Sequence, residues 1–325
     1  MSGRFVISLD FELHWGTRER RPWHQCQEEI LAGRDAVFQI LRVFEARAIH
    51  ATWAVVGFLF ARGKADALRH APKVKPRYER QELDPYPELD SAGASEDQDP
   101  FHFASSIVET IAKAKHQELA THTFSHYYCL EPGQSVEAFR ADLEAARTIG
   151  EAYGEVVRSI VFPRNQFALP YLREAREAGV LCYRGNPQRW FWQPRPSGEE
   201  SKAQRIARLA DAYLPGGDRA VQRPELDPSG LVNVPATQFL RPWHPRASFA
   251  DGMRRRRIRE QMTRAARDQG LFHLWWHPNN FSRDIQKNIE FLESVLDDFS
   301  VLQRQYAMRS STMHEIAVDF LSNRV

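Results

Sequence analysis

Short apolar runs and amphipathic stretches alternate along most of this 325-residue chain. Phe5-Val6-Ile7 and Leu9 make residues 4–10 a buried strand. Val37, Ile40, Leu41 and Phe44 then recur at helical spacing and predict an amphipathic helix over about 33–47. Ala51-Thr52-Trp53-Ala54-Val55-Val56 predicts a second strand, stopped by Gly57, with a helix near 57–70. The same alternation predicts strands at 117–121, 158–162, 180–183, 231–234 and 271–276. Helices are expected at 101–115, 135–152, 168–178, 247–268 and 283–304, with a short terminal helix at 312–322. Two polar stretches break the rhythm. One spans 72–100, with the turn signal Asp84-Pro85-Tyr86-Pro87; the other spans about 194–229, with Pro194, Pro196, Pro215-Gly216-Gly217 and Pro224. They read as loop insertions, the first placed to act as a lid. No internal repeat and no long linker appears. Strand-helix alternation implies parallel strands with helices outside, hence one α/β domain over 1–325 with two insertions.

In such folds the active site gathers where the strands end at their carboxyl side. Asp10 and Glu12 end the first strand, and His122 follows the third. Arg164 follows the fourth, and His277 follows the strand at 271–276. All fall on that one side.

The chemistry of these groups points towards hydrolysis. Thr121-His122-Thr123-Phe124-Ser125-His126 offers two imidazoles, and Ser8-Leu9-Asp10-Phe11-Glu12 offers two carboxylates. Two His and one carboxylate suffice for a catalytic metal, leaving a second carboxylate as base. Spacing alone leaves the His pair open between ligands and chance, because 12 His in 325 residues place roughly 0.4 such pairs at random. A second pair, His273 and His277, lies along an apolar strand and its end. At a strand rise of ~3.3 Å its members stand about 13 Å apart, too far to share a metal. Alternate strand residues face one side, so Asp10 and Glu12 point together, a costly pairing unless a cation offsets it. Arg164 is placed to hold Asp10 ionised through a bidentate contact. The alternative is a capping role for the carboxylates and a surface role for Arg164.

Composition narrows the partners. Net charge is +2, which gives no bulk electrostatic case for nucleic acid. Arg254-Arg255-Arg256-Arg257 reads first as a solvated helix face and second as a clamp for a phosphate-bearing substrate. Trp190, Phe191, Trp192 and Trp243 are core residues or stacking surfaces for a sugar. Cys26, Cys129 and Cys182 are too widely spaced for a disulfide framework. The chain shows no apolar stretch long enough for a membrane span and no signal segment, so a cytoplasmic location is expected.

At these residues the chain resembles the polysaccharide deacetylase family, the NodB-homology group of carbohydrate esterases. Asp10 matches the family's base, and His122-Thr123-Phe124-Ser125-His126 matches its His-(Ser/Thr)-x-x-His motif. Ala51 to Gly57 looks like the family's second strand, and Leu274 to His277 like its late Leu-x-His motif with one extra residue. Two departures stand out. Phe11 replaces the usual adjacent Asp, with Glu12 following, as in a variant Asp-x-Asp form. Arg164-Asn165-Gln166-Phe167 lacks the proline of the usual Arg-x-Pro. The resemblance implies a distorted (β/α)7 barrel that removes an N-acetyl group from an amino sugar. It implies a divalent metal, zinc by expectation, on Glu12, His122 and His126. Asp10 is then the base, Arg164 its orienter and His277 the acid towards the leaving amine. The substrate would be a unit or precursor of a surface polysaccharide, with a nucleotide- or lipid-linked sugar suited to the cytoplasm. Two other readings remain: a metal-independent, allantoinase-like hydrolase of cyclic amides, and a non-catalytic glycan-binding protein.

Overall fold

The computed structural model describes residues 2–154, 156–187, 189–193, 196, 201–213 and 221–323. The strands in chain order are β1 (Arg4–Phe11), β2 (Ala51–Val55), β3 (Gln117–Thr121), β4 (Ser159–Ile160) and β5 (Cys182–Tyr183). They continue with β6 (Glu225–Leu226), β7 (Val232–Asn233), β8 (Gln238–Phe239), β9 (Leu271–Trp276) and β10 (Arg309–Ser311). They form one sheet in the order β6-β7-β5-β4-β3-β2-β1-β9-β8, with β10 also on β1. Every pairing is parallel except β6 with β7. The sheet curls into a distorted (β/α) barrel. All seven expected strands are present. β6, β8 and β10 are additions of two or three residues, too short to show a period.

β1 is central and buried on both faces, which explains its nearly continuous apolar sequence. Its residues divide by parity. Phe5, Ile7, Leu9 and Phe11 face the helix layer, where Phe44, Trp53, Trp276 and Phe299 fill the main core. Val6 joins Ala54, Ala120, Cys182 and Leu271 on the inner side, where Met313, Ile316 and Ala317 plug the barrel from the terminal helix Met313–Ser322. Ser8 and Asp10 continue that inner row upward. Below this apolar layer Thr52 and Ser159 hydrogen-bond to Glu118, and above it the row turns polar again towards the carboxyl end of β1.

The expected helix at 57–70 is interrupted: a 3-10 turn, Gly57–Phe60, precedes the helix Lys64–His70. Gly57 is required there, because a Cβ would lie 2.6 Å from Phe124 Cα. That close approach lets Gly57 N–H donate to Thr123 O, stitching this turn to the segment carrying the His pair. The first insertion is packed rather than loose. It contains a helix, Tyr86–Ser91, and buries Tyr78, Leu83, Tyr86 and Leu89. The second contains a helix, Lys202–Tyr213, while its Pro194 and Pro215-Gly216-Gly217 lie outside the described residues. Among the described residues no helix is long and apolar enough to cross a membrane.

Candidate active site

The parity of β1 sets the site. Asp10 faces inward, Phe11 turns into the core, and Glu12 leaves the strand on the inner side again. Gly16 makes room for it: a Cβ on Gly16 would lie 1.7 Å from Glu12 Oε2.

The His pair sits on a loop, not a helical turn. Thr123 and His126 both have positive φ, 62° and 59°. The loop is held in that form from within and from outside. Thr121 Oγ1 accepts from Thr123 N–H at 2.9 Å, and Thr123 Oγ1 accepts from Tyr127 N–H at 2.7 Å. Asp142, wholly buried on the helix Val136–Glu151, accepts from Phe124 N–H at 2.8 Å and from the Ser125 hydroxyl. Burial outweighs these hydrogen bonds and pushes the Asp142 carboxyl up to about 6.

The two imidazoles converge on one carboxylate oxygen. His122 Nε2 lies 2.9 Å and His126 Nε2 3.2 Å from Glu12 Oε1. His122 Nδ1 donates to Val161 O at 2.8 Å, and His126 Nδ1 lies 3.0 Å from the Tyr128 hydroxyl. Partners on the far nitrogens fix ring orientation as in metal sites. Burial holds His126 neutral, its pKa lowered to about 4, which is the ligating form. Burial alone would raise Glu12, but the His277 and His126 imidazoles hold it well below the usual carboxylate range. The neutral His126 imidazole, the His122 nitrogen beside it and an ionised Glu12 oxygen fit a divalent cation of the zinc type.

Asp10 is adjacent and differently bound. Arg184 donates to it through both nitrogens, Nη1 to Oδ1 at 2.6 Å and Nη2 to Oδ2 at 2.7 Å. Burial opposes ionisation, yet Arg184 prevails and lowers the Asp10 pKa. Arg184 in turn contacts Ser8 Oγ and Asn165 Oδ1, both at 3.0 Å, and lies over the Trp275 ring. The expected Arg164–Asp10 contact is therefore corrected. Arg164 has a φ of 55°, which carries its side chain to Glu19 and Glu131 and over Tyr128. Arg184 follows β5 just as Arg164 follows β4, and position at a strand end was the one signal that could have nominated it.

His277 closes the group. Its Nε2 lies 3.7 Å from Asp10 Oδ2 and 3.6 Å from Glu12 Oε1. Burial works against its charge, but Glu12 and Asp10 outweigh that and raise its pKa to about 9. His273, four residues earlier, is buried with its Nε2 2.8 Å from Ser8 Oγ. Asp10, Glu12, His126 and His277 line the floor of an open cavity of about 940 Å³, which Arg20, Arg80, Arg208, Trp192 and Trp275 also border.

The arginine run does not border that cavity. Arg254 and Arg257 are buried, Arg255 pairs with Asp298 and Arg256 with Glu260. Neither of its expected readings, a solvated face or a phosphate clamp, describes it as a whole. Trp243 likewise stands apart from the cavity lining.

No family model and no curated protein matches the sequence. The likeness lies in the fold. A solved chain from Mycobacterium smegmatis, provisionally described as a polysaccharide deacetylase, aligns with 100% of this chain and 92% of its own at TM-score 0.60 and 14% identity. The α-amylase AmyC from Thermotoga maritima aligns with 97% of this chain and 74% of its own, at TM-score 0.56 and 11% identity. Puue allantoinase aligns with 97% of this chain and 88% of its own, at TM-score 0.52 and 12% identity. At such identities the shared property is the fold.

Proposed function

We propose that this protein is a metal-dependent amide hydrolase that removes the N-acetyl group of an amino sugar. One observation carries the reading: a cluster of two histidines and one carboxylate shares a cavity floor with an arginine-held carboxylate, with a protonatable imidazole between them. A divalent cation on Glu12, His122 and His126 would supply Lewis acidity to an amide carbonyl and to water. Asp10 accepts the proton of the attacking water. Arg184 keeps Asp10 ionised and fixes its orientation through two hydrogen bonds. His277, 30% exposed at its side chain and facing the cavity, gives a proton to the departing nitrogen. Trp192 borders the cavity as an apolar surface for a sugar ring, and Arg20, Arg80 and Arg208 suit an anionic carrier such as a diphosphate.

A second reading follows from the allantoinase of like fold: hydrolysis of a cyclic amide on the same floor, without metal. One assay separates the two. Acetate release and cyclic-amide opening are measured before and after chelation, on free, polymeric and nucleotide-linked N-acetylated amino sugars and on allantoin. The first reading expects acetate release that chelation abolishes and zinc restores. Chelator-insensitive ring opening without acetate release would replace it with the second.

A further inference from the structure

A second cluster repeats the donor set. His14 lies in the 3-10 turn Leu13–Gly16, directly after Glu12, and is wholly buried. Its Nε2 is 2.8 Å from Glu88 Oε1, on the helix of the first insertion. That contact lacks the angle of a hydrogen bond, and the nitrogen has no hydrogen-bond partner among the described residues. His102 Nε2 lies 2.9 Å from the same Glu88 oxygen. All three donor atoms fall within 4.8 Å of one another.

We infer that His14, Glu88 and His102 bind a second divalent cation of the zinc class, which ties the first insertion to the end of β1. Two atoms 2.8 Å apart that are not aimed at each other are placed to share a third partner. The spacing agrees. Tetrahedral zinc with bonds of ~2.0–2.1 Å sets its ligand atoms roughly 3.3 Å apart, so the cluster opens by about half an ångström on binding. The Glu12 cluster, at 2.9 and 3.2 Å, stands at nearly the same separation. The outer partners fit as well. Asp99 receives His102 Nδ1 at 2.8 Å, which turns Nε2 towards Glu88. Cys26 Sγ stands 3.9 Å from His14 Nδ1, the nitrogen facing away.

The surroundings assign the cation a structural role. Trp15 packs on His102 and donates its indole N–H to His102 O at 2.8 Å, while Trp23 stacks on Phe101 beside them. None of His14, Glu88 and His102 lines the large cavity. Glu88, 23% exposed at its side chain, marks the entry route and leaves access for a water as fourth ligand. The rival occupant is a proton. Burial opposes charge on His102, but Asp99 and Glu88 outweigh it and raise the pKa to about 9, so an imidazolium could bridge the two carboxylates. That accounts for His102 but not for the misdirected Nε2 of His14.

The test is zinc stoichiometry on the full chain after chelation, read by elemental analysis and by calorimetric titration with zinc alone. The wild type is expected to take up two equivalents. The variant carrying His122→Ala and His126→Ala is expected to keep one; Glu12→Gln replaces it if it fails to fold by circular dichroism. Adding His14→Ala and Glu88→Gln is expected to weaken the remaining equivalent at least 100-fold. A folded first-cluster variant that takes up no zinc overturns the inference. So does one whose remaining zinc survives loss of His14 and Glu88. Neither readout depends on acetate release, so the inference stands or falls apart from the proposed activity.

Discussion

Two clusters of two histidines and one glutamate stand on either side of the turn after β1. Their donor atoms are nearly alike in kind and separation. Their surroundings differ. The Glu12 cluster opens on a large cavity and has Asp10 and His277 beside it. The His14 cluster is backed by Trp15, Trp23 and Phe101, and its extra carboxylate, Asp99, is engaged with a ligand's far nitrogen. Donor set alone thus does not distinguish a catalytic from a structural metal position. A free volume and an ionised base at hand do.

The comparison breaks first at Arg184. Asp10 differs from Asp99 in being held by a fully buried guanidinium, and Arg184→Ala would leave a buried charge without its partner. The expected loss is about 3–5 kcal/mol, measured by denaturant unfolding. A loss below about 1 kcal/mol would show that Asp10 does not depend on Arg184.

The next effect concerns the loop that carries His122 and His126. Asp142 pins it, with a carboxyl raised to about 6. A raised folded-state value stabilises fully below the unfolded one and loses that contribution as pH climbs through about 6. Relative to Asp142→Asn, wild-type stability should therefore fall by roughly 3 kcal/mol between about pH 4 and pH 7. Parallel pH curves for the two proteins would remove Asp142 from this role.

A smaller effect separates the clusters directly. In Gly16→Ala the new methyl meets Glu12 Oε2 and must displace it. Zinc affinity at the Glu12 cluster should fall roughly 10- to 100-fold, with the His14 cluster keeping its own equivalent in calorimetry. Unchanged affinity at the Glu12 cluster would mean that its carboxylate does not ligate.

Much of the arrangement was legible in the chain, for reasons that vary by residue. Seven strands showed as buried apolar runs, because parallel strands covered on both faces read that way. Asp10, Glu12, His122, His126 and His277 come together because the carboxyl ends of such strands converge. Arg184 was not separable from Arg164 by that rule, since both follow strands. What distinguishes them is a left-handed backbone at Arg164, which no apolar period encodes. Asp142 carries no motif within the helix expected at 135–152, and only the fold turns it inward. Glu88 and Asp99 sat in a stretch whose polarity resembled an open loop, although it packs four large apolar side chains. His14 was visible beside Glu12, but its partners were more than seventy residues away and carried no motif.

The central claim is that Asp10 does chemistry at a metal held by its neighbours. The most direct measurement is acetate release by zinc-loaded Asp10→Asn, with bound zinc quantified in the same samples. The account predicts a drop of at least about 100-fold in kcat with zinc content unchanged. Activity equal to the wild type at equal zinc content would contradict it.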